Sequence, residues 1–413
     1  MITVIRNGNI LDTRDGCIVG ERTIVIDDGE IEEINTSQYR GHADVDIDAG
    51  GKFVMPGLID AHVHHTFPTM DLGRLLLMSP VEVAIGMSRA ARGFLNRGFT
   101  TVRDTGGKVG GLVSAIQNGM TEGPRIIRAG RMISQTGGHG DFRPTSGAES
   151  PSCICQIHSD THDNAHITDG PDGCRKAART ELRDGADFIK IMTSGGVSSP
   201  NDPFDSIQFT AEEIRAVTTE TDHRYTYTTS HAYMPEAISL AIENGVKCIE
   251  HGNMLDAPTA KRMAELGVAL VPTLITYRTM EEIGAQSGLP STNLEKNAGV
   301  FEAGLEAVEI ARAAGVELGW GTDLLGEGQS KQNQEFAIRS ELEPAVDVLK
   351  SIYETNVRLC GLEGEIGRVE GGYAADLIFS EVDPIENLAG LAVPENISTV
   401  IQAGQVIRST LVD

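Results

Sequence analysis

Four histidines, a lysine and an aspartate fall where a metal-centred reaction would need them. His62 and His64 stand two apart in Asp60-Ala61-His62-Val63-His64-His65, closing an apolar run. Side chains two apart on a β-strand share a face, so this pair points one way, and His65 turns away or opens the following loop. Lys190 ends DFIK, His231 ends TYTTSH, His251 lies in CIEHG and Asp323 in GWGTD. Taken singly, a strand histidine is ordinarily a core or surface residue, Lys190 a lysine with a solvated tip, and Asp323 a loop cap. Those readings would have to hold independently at every position, whereas one metal site accounts for all of them. Imidazole and carboxylate suit Zn²⁺ and other borderline divalent metals. Four histidines plus an aspartate exceed the three protein ligands of a one-zinc catalytic site, so two metals are expected. An ammonium cannot ligate a metal, so Lys190 would have to be a neutral amine, a form favoured by burial and nearby cations. Such an amine captures carbon dioxide as a carbamate, whose two oxygens could bridge both ions.

Residues this far apart in sequence need a scaffold that gathers strand ends. The runs GLIDAHVHH, TTVRDTGG, PRIIRAG, DFIKIMTSGG, RYTYTTSHA, CIEHGN, ALVPTLITY and ELGWGTDLL alternate with helical patterns such as PVEVAIGMSRAARGFLNRG and TAEEIRAVTTETD. Three helical stretches, MPEAISLAIENG, APTAKRMAELG and AGLEAVEIARAAG, end at a glycine that can cap them. Eight β-then-α units over residues 57–360 predict an α/β fold, a (β/α)₈ TIM barrel whose chemistry sits at the C-terminal ends of its strands. Insertions at 131–171 and 278–297 are expected on that face. Residues 1–56 and 361–413 are short β runs broken by Asn-Gly, Asp-Gly and Gly-Gly turns, and are expected to form one small β-sandwich domain from both ends of the chain.

The composition excludes several classes. A length of 413 residues fits two or three domains, or one barrel of about 250 residues with a smaller unit. A net charge of -25 should repel nucleic acid and anionic membranes. The 9 lysines against 25 arginines, with many acids, are compatible with a saline habitat in which salt screens self-repulsion. No apolar run approaches the ~18 residues of a membrane span, and no basic, apolar leader opens the chain, so a cytoplasmic location is expected. The six cysteines form no CxxC pair and read as reduced thiols.

The segments MPGLIDAHVHH, IKIMTSGG, SHAYMPEAI, IEHGN and GTDLLG resemble the amidohydrolase superfamily. Within it the chain is similar to the imidazolonepropionase-like branch that includes binuclear prolidases, Xaa-Arg/Lys dipeptidases and ochratoxinase. SQTGGHGD and KIMTSGGVSSPNDP are more specific to that branch than the paired histidines, and ADLIF and VIQAGQVI extend the likeness to the C-terminal β unit. ESPSCIC and GLPSTN look like the proline-specific subgroup. The resemblance implies two metals, zinc first. His62, His64, Asp323 and one oxygen of N6-carboxylated Lys190 would bind one, and His231, His251 and the other oxygen the second. It also implies a hydroxide bridging the metals as nucleophile, with Asp323 shuttling its proton to the departing amine, and assembly into a homo-oligomer.

The expected substrate is a dipeptide or N-acyl amino acid with a free C-terminal carboxylate, Xaa-Pro or N-acyl-L-Pro first. His139, Tyr233 and Arg143 are candidate substrate contacts. Each has a plainer reading, as a loop hydrogen bond, a strand hydroxyl and a solvated arginine. Alternatives are a dipeptidase for Xaa-Arg/Lys or Xaa-Phe amides, including ochratoxin-like ones, a cyclic-amide hydrolase such as imidazolonepropionase, and a non-catalytic scaffold. Lys190 argues against the cyclic amide, because a bridging carbamate implies two metals. A Cys/His dyad from Cys153 or Cys155 with His139 or His158, and a further metal site at His158, His162 and His166, are weaker readings of the long loop. Gly137-Gly138 and Gly195-Gly196 lack a Walker lysine or a GxGxxG frame, which rejects nucleotide binding.

Overall fold

A computed structural model describes residues 1–36, 39–143, 164–199 and 202–411. Strands β1 (Ile2–Asp12), β2 (Cys17–Asp27), β3 (Glu30–Asn35), β4 (Val45–Asp48) and β5 (Phe53–Pro56) open the chain. The centre holds β6 (Leu58–Val63), β7 (Phe99–Asp104), β8 (Arg125–Arg128), β9 (Met132–Ser134), β10 (Ala165–Ile167), β11 (Ile189–Met192), β12 (Thr228–Ala232), β13 (Cys248–His251) and β14 (Ala269–Val271). The chain closes with β15 (Leu377–Ser380), β16 (Ile397–Gln402) and β17 (Gln405–Ser409).

Both ends of the chain build one sheet in the order β17-β16-β15-β5-β1-β2-β3, with β4 paired to β1. Its closing contact is antiparallel β5 against β15, with Val54 opposite Phe379. Tight hairpins follow from local sequence: Asp28-Gly29 and Ala403-Gly404 both take positive φ, the backbone that a two-residue turn between twisted strands requires. Ile5, Ile10, Ile24, Val54, Leu377 and Phe379 bury one side of this sheet. The terminal β unit is thus built from both ends of the chain through one hydrogen-bonded ladder.

The central strands are parallel and lie in two ladders, β6-β7-β8 and β10-β9-β11-β12-β13-β14. The expected closed barrel is not one continuous ladder among the described residues. Asp187 N donates to Arg128 O across one gap (2.8 Å), and Ala61 N to Trp320 O across the other (2.9 Å). The run 317–325, expected as the eighth strand, holds a single parallel bridge, Leu270 to Leu318. The 131–171 insertion contributes β9 and β10, and β9 pairs with β11 through Ile133 and Ile191. The strand expected over ALVPTLITY stops at Val271, and a helix begins at Leu274.

Helices over the central sheets start and stop where side chains satisfy their ends. Ser79 and Glu82 form a capping box on the helix Pro80–Asn96, as do Thr210 and Glu213 on Ala211–Asp222. Gly267 and Gly315 close their helices in the left-handed region. Below the strand ends, Trp320 stacks on Phe99 at 5.3 Å and meets Phe336 at 4.9 Å. Gly321 is required by close approach, since a Cβ there would sit 2.9 Å from His62 Cβ.

Candidate active site

Strand ends bring the six chemistry-bearing residues together. His62 lies on β6 and His64 just past it, Lys190 on β11, His231 on β12, and His251 at the last position of β13. Asp323 follows the 317–320 segment, tied to β6 by its own N–H donating to His62 O at 2.8 Å. All six line one cavity of about 50 Å³. Asp323 sits among the rings: Oδ1 is 3.3 Å from His62 Nε2 and 3.2 Å from His64 Nε2, and Oδ2 is 3.9 Å from His251 Nδ1. His251 and Asp323 adopt φ of +73° and +51°, strained backbone held only where the surroundings dictate it.

A partner behind each ring sets its orientation. His62 Nδ1 bonds Glu250 Oε2 at 2.7 Å, His64 Nδ1 bonds Gly106 O at 3.0 Å, and His231 Nε2 bonds Gly195 O at 3.1 Å. Carbonyl oxygens only accept, so His64 Nδ1 and His231 Nε2 each carry a hydrogen, and in His231, which burial keeps neutral, Nδ1 keeps its lone pair. His251 Nδ1 lies 2.8 Å from Thr273 Oγ1. His62 Nε2 is buried without a hydrogen-bond partner among the described residues. Ligand atoms of His62, His251 and Asp323 fall within 4.8 Å of one another. An orphaned imidazole lone pair amid nitrogen and carboxylate donors is a set that fits divalent metal.

The electrostatics follow from burial and crowding. Burial pushes the Lys190 amine below the ordinary lysine value, against the pull of Glu250 and Asp323. His231 and His251 are held well below the ordinary histidine range, chiefly by burial. Burial works to raise the Asp323 carboxyl, but His62, His64 and His251 hold it well below the usual range.

Beneath the cavity lies a charged layer that the sequence reading missed. Glu250 accepts from His62 and, through its other oxygen, from Arg103 and Thr229. Arg103 also donates to Ala61 O at 2.6 Å and to the Tyr227 hydroxyl at 2.9 Å. Arg103 holds the Glu250 carboxyl well below its usual range although burial opposes this. Asp60 accepts from His62 N, Thr322 Oγ1 and Gln332 Nε2, fixing the approach to Asp323. The available signal was a charge inside an apolar strand, which must find a partner.

His139 and Tyr233 also line the cavity. The His139 ring stacks on His231 at 4.1 Å, with Nδ1 3.4 Å from Asp202 Oδ2. The Tyr233 hydroxyl bonds that of Tyr277 at 2.9 Å, a second phenol the sequence reading did not single out. Arg143 does not line the cavity; its guanidinium is exposed and donates to Asp141 at 2.6 Å. His166 is held by Glu181 at 3.3 Å and joins no metal cluster among the described residues. Cys153, Cys155, His158 and His162 lie outside the described residues.

Residues 53–407 match the amidohydrolase family. A solved amidohydrolase structure superimposes with a TM-score of 0.96 at 39% identity, covering all of both chains. A prolidase crystallised with N-methylphosphonate-L-proline superimposes at 0.94 with 38% identity, covering 99% of this chain and 100% of the other. Ochratoxinase of Aspergillus niger is 27% identical over 379 residues, spanning 86% of this chain and 75% of that protein.

Proposed function

The chain belongs to the amidohydrolase family, and from that premise we propose that it hydrolyses the amide bond of dipeptides or N-acyl amino acids carrying a free C-terminal carboxylate. Xaa-Pro and N-acyl-L-Pro are the first choice. The observation that carries this reading is the convergence of His62, His64, Lys190, His231, His251 and Asp323 on one cavity beside the Tyr233–Tyr277 hydroxyl pair. The likeness to a prolidase complexed with N-methylphosphonate-L-proline directs the choice of C-terminal residue.

His62, His64 and Asp323 would hold one divalent metal and His231 and His251 a second, zinc in both places, with N6-carboxylated Lys190 between them. Bound there, the ions would supply Lewis acidity and bring the pKa of water from about 15.7 towards about 7. Forming the carbamate joins the Lys190 nitrogen to the carbon of carbon dioxide and releases the amine proton. The Asp323 carboxylate, 18% exposed to the cavity, takes the proton of the attacking water and delivers it to the departing nitrogen. For proline that nitrogen is a poor leaving group until protonated. Of the two phenols at 2.9 Å, one donates to the other, which leaves the second proton free for a substrate carboxylate. His139, stacked above His231, is the other group placed to meet it.

The same premise reads the two parallel ladders as one (β/α)₈ barrel over 57–360, with the terminal sheet as a second unit of 1–56 and 361–413. No helix among the described residues is long and apolar enough to cross a membrane. Cys17, Cys174, Cys248 and Cys360 are free thiols, as a reducing compartment keeps them, and we assign the chain to the cytoplasm.

A second reading is an amide of C-terminal phenylalanine, favoured by the ochratoxinase likeness and by Phe67, Phe142 and Met280 on the cavity wall. Among the described lining residues Asp323 is the only acid, which disfavours a C-terminal Arg or Lys. The test is a hydrolysis screen of zinc-loaded protein on Xaa-Pro, Xaa-Phe, Xaa-Arg and Xaa-Lys with their N-acyl counterparts. Preference for proline supports the first reading and preference for phenylalanine the second. Silence on all of them, in protein holding two metals, rejects both.

A further inference from the structure

We propose that the outer face of the helix Pro80–Asn96 is the contact surface for a second copy of this chain, packed antiparallel about a two-fold axis between Ala84 and Ile85. The inner face buries Val83, Met87, Ala90, Ala91 and Phe94. The outer face should then be polar, yet Val81 is 66% and Ile85 65% exposed, and Leu77, just before the helix, is 87% exposed. Met120, 81% exposed, borders the same face, because the neighbouring Thr121 Oγ1 bonds Ser88 Oγ at 2.6 Å. Twelve large apolar side chains are exposed among the described residues, and five of them (Leu76, Leu77, Val81, Ile85 and Met120) gather here. Clustering of this kind marks an interaction site, where scattered exposed residues do not.

Spacing and charge identify the occupant. Positions 81, 84, 85, 88 and 92 of the helix recur at helical intervals and form one stripe. Turned antiparallel onto itself, the stripe pairs Val81 with Ser88 and Ala84 with Ile85, and sets the aliphatic stem of Arg92 beyond the first turn of the second copy's helix. Each bulky residue meets a small or flexible one, and the set closes on itself, as a two-fold interface demands. Along the edge, Glu82 then faces Arg89 of the second copy, and Arg89 faces its Glu82. Arg89 and Arg92 have no ion-pair partner among the described residues, although acids outnumber bases 59 to 34 along the chain. One oxygen of Glu82 closes the capping box with Ser79, which holds the carboxylate at this edge. An anionic membrane is disfavoured by the net charge of -25.

Sedimentation velocity on the full chain at micromolar concentration tests the proposal. The expected particle is a dimer or an even multiple of one. Val81→Asp with Ile85→Asp should halve its mass and leave the circular dichroism spectrum unchanged, since both side chains are exposed. Glu82→Arg or Arg89→Glu alone should weaken association about tenfold at low salt through like-charge contacts, and the double exchange should restore it. A wild-type monomer overturns the proposal, whether it then binds phosphatidylcholine vesicles or nothing. So does a mass that the paired aspartates leave intact. Single exchanges without effect, or a double exchange that restores nothing, overturn the pairing of Glu82 with Arg89.

Discussion

The Glu250 carboxylate meets Nδ1 of His62 at 2.7 Å where neither side chain is more than 1% exposed. This contact sets which His62 nitrogen keeps a lone pair for the cavity, while Arg103 and Thr229 hold the carboxylate from behind. Glu250→Gln keeps the shape but weakens the acceptor, so metal affinity should fall roughly 10- to 100-fold. A competitive chelator titration of both proteins measures it. Equal affinities would remove Glu250 from the metal-orienting role.

Asp323 is the carboxylate among the cavity-lining residues placed to carry a proton. Asp323→Asn should keep the fold and much of the metal, and lower kcat by about 10²- to 10⁴-fold, the range associated with a positioned proton carrier. Steady-state kinetics beside elemental analysis of the same sample decide it. Turnover at the wild-type rate would assign the shuttle to another group.

Lys190→Ala should lose metal and activity together, and short carboxylic acids such as acetate or propionate should restore part of both. The acid would fill the volume left by the buried side chain and return a carboxylate to it. Full metal content in this variant with no acid added would count against the carbamate.

The six residues of the cavity were legible because each closes an apolar run, and a polar group at a strand end has one common reason to be there. Glu250 was not, since within CIEH it reads as the alternate residue of a strand, and only the approach of β7 to β13 supplies Arg103 as its partner. The segment ALVPTLITY reads as strand, yet only Ala269–Val271 is one. What decides is Thr273 at φ +47°, which turns the chain at the cavity and starts the helix whose Tyr277 reaches Tyr233. β9 and β10 escaped notice because runs of three residues carry no periodicity. Arg143 was drawn to the cavity by its neighbourhood in sequence, and Asp141 two residues away takes its guanidinium instead.

Lys296 ties the loop after β11 to the 278–297 insertion. Its ammonium donates to Gly196 O at 3.3 Å, Ser199 O at 2.8 Å and Asp202 O at 2.6 Å, and Asn293 donates to Val197 O at 2.7 Å. The same loop carries the Gly195 carbonyl that orients His231. Lys296→Met leaves these acceptors without their donor, a loss of about 1–3 kcal/mol, and should also lower kcat/KM. Denaturant unfolding and kinetics check the two effects. A variant as stable and active as the wild type would show that the loop is held without the lysine.

Burial pushes the Glu335 carboxyl up to about 8, against Arg339 and against the Ile275 N–H that donates to it at 2.7 Å. Its other oxygen has no partner among the described residues. An unfolded glutamate titrates near 4.5, so between there and about pH 8 the folded chain keeps a proton the unfolded chain has released. Stability from this group therefore falls as pH rises through that window, and its cost is fully present above it. Glu335→Gln stays neutral and keeps an acceptor for Ile275, so it escapes the cost. The Tm of the variant minus that of the wild type should grow more positive from about pH 5 to about pH 9. Parallel curves for the two proteins over that range would mean that Glu335 is ionised in the folded state.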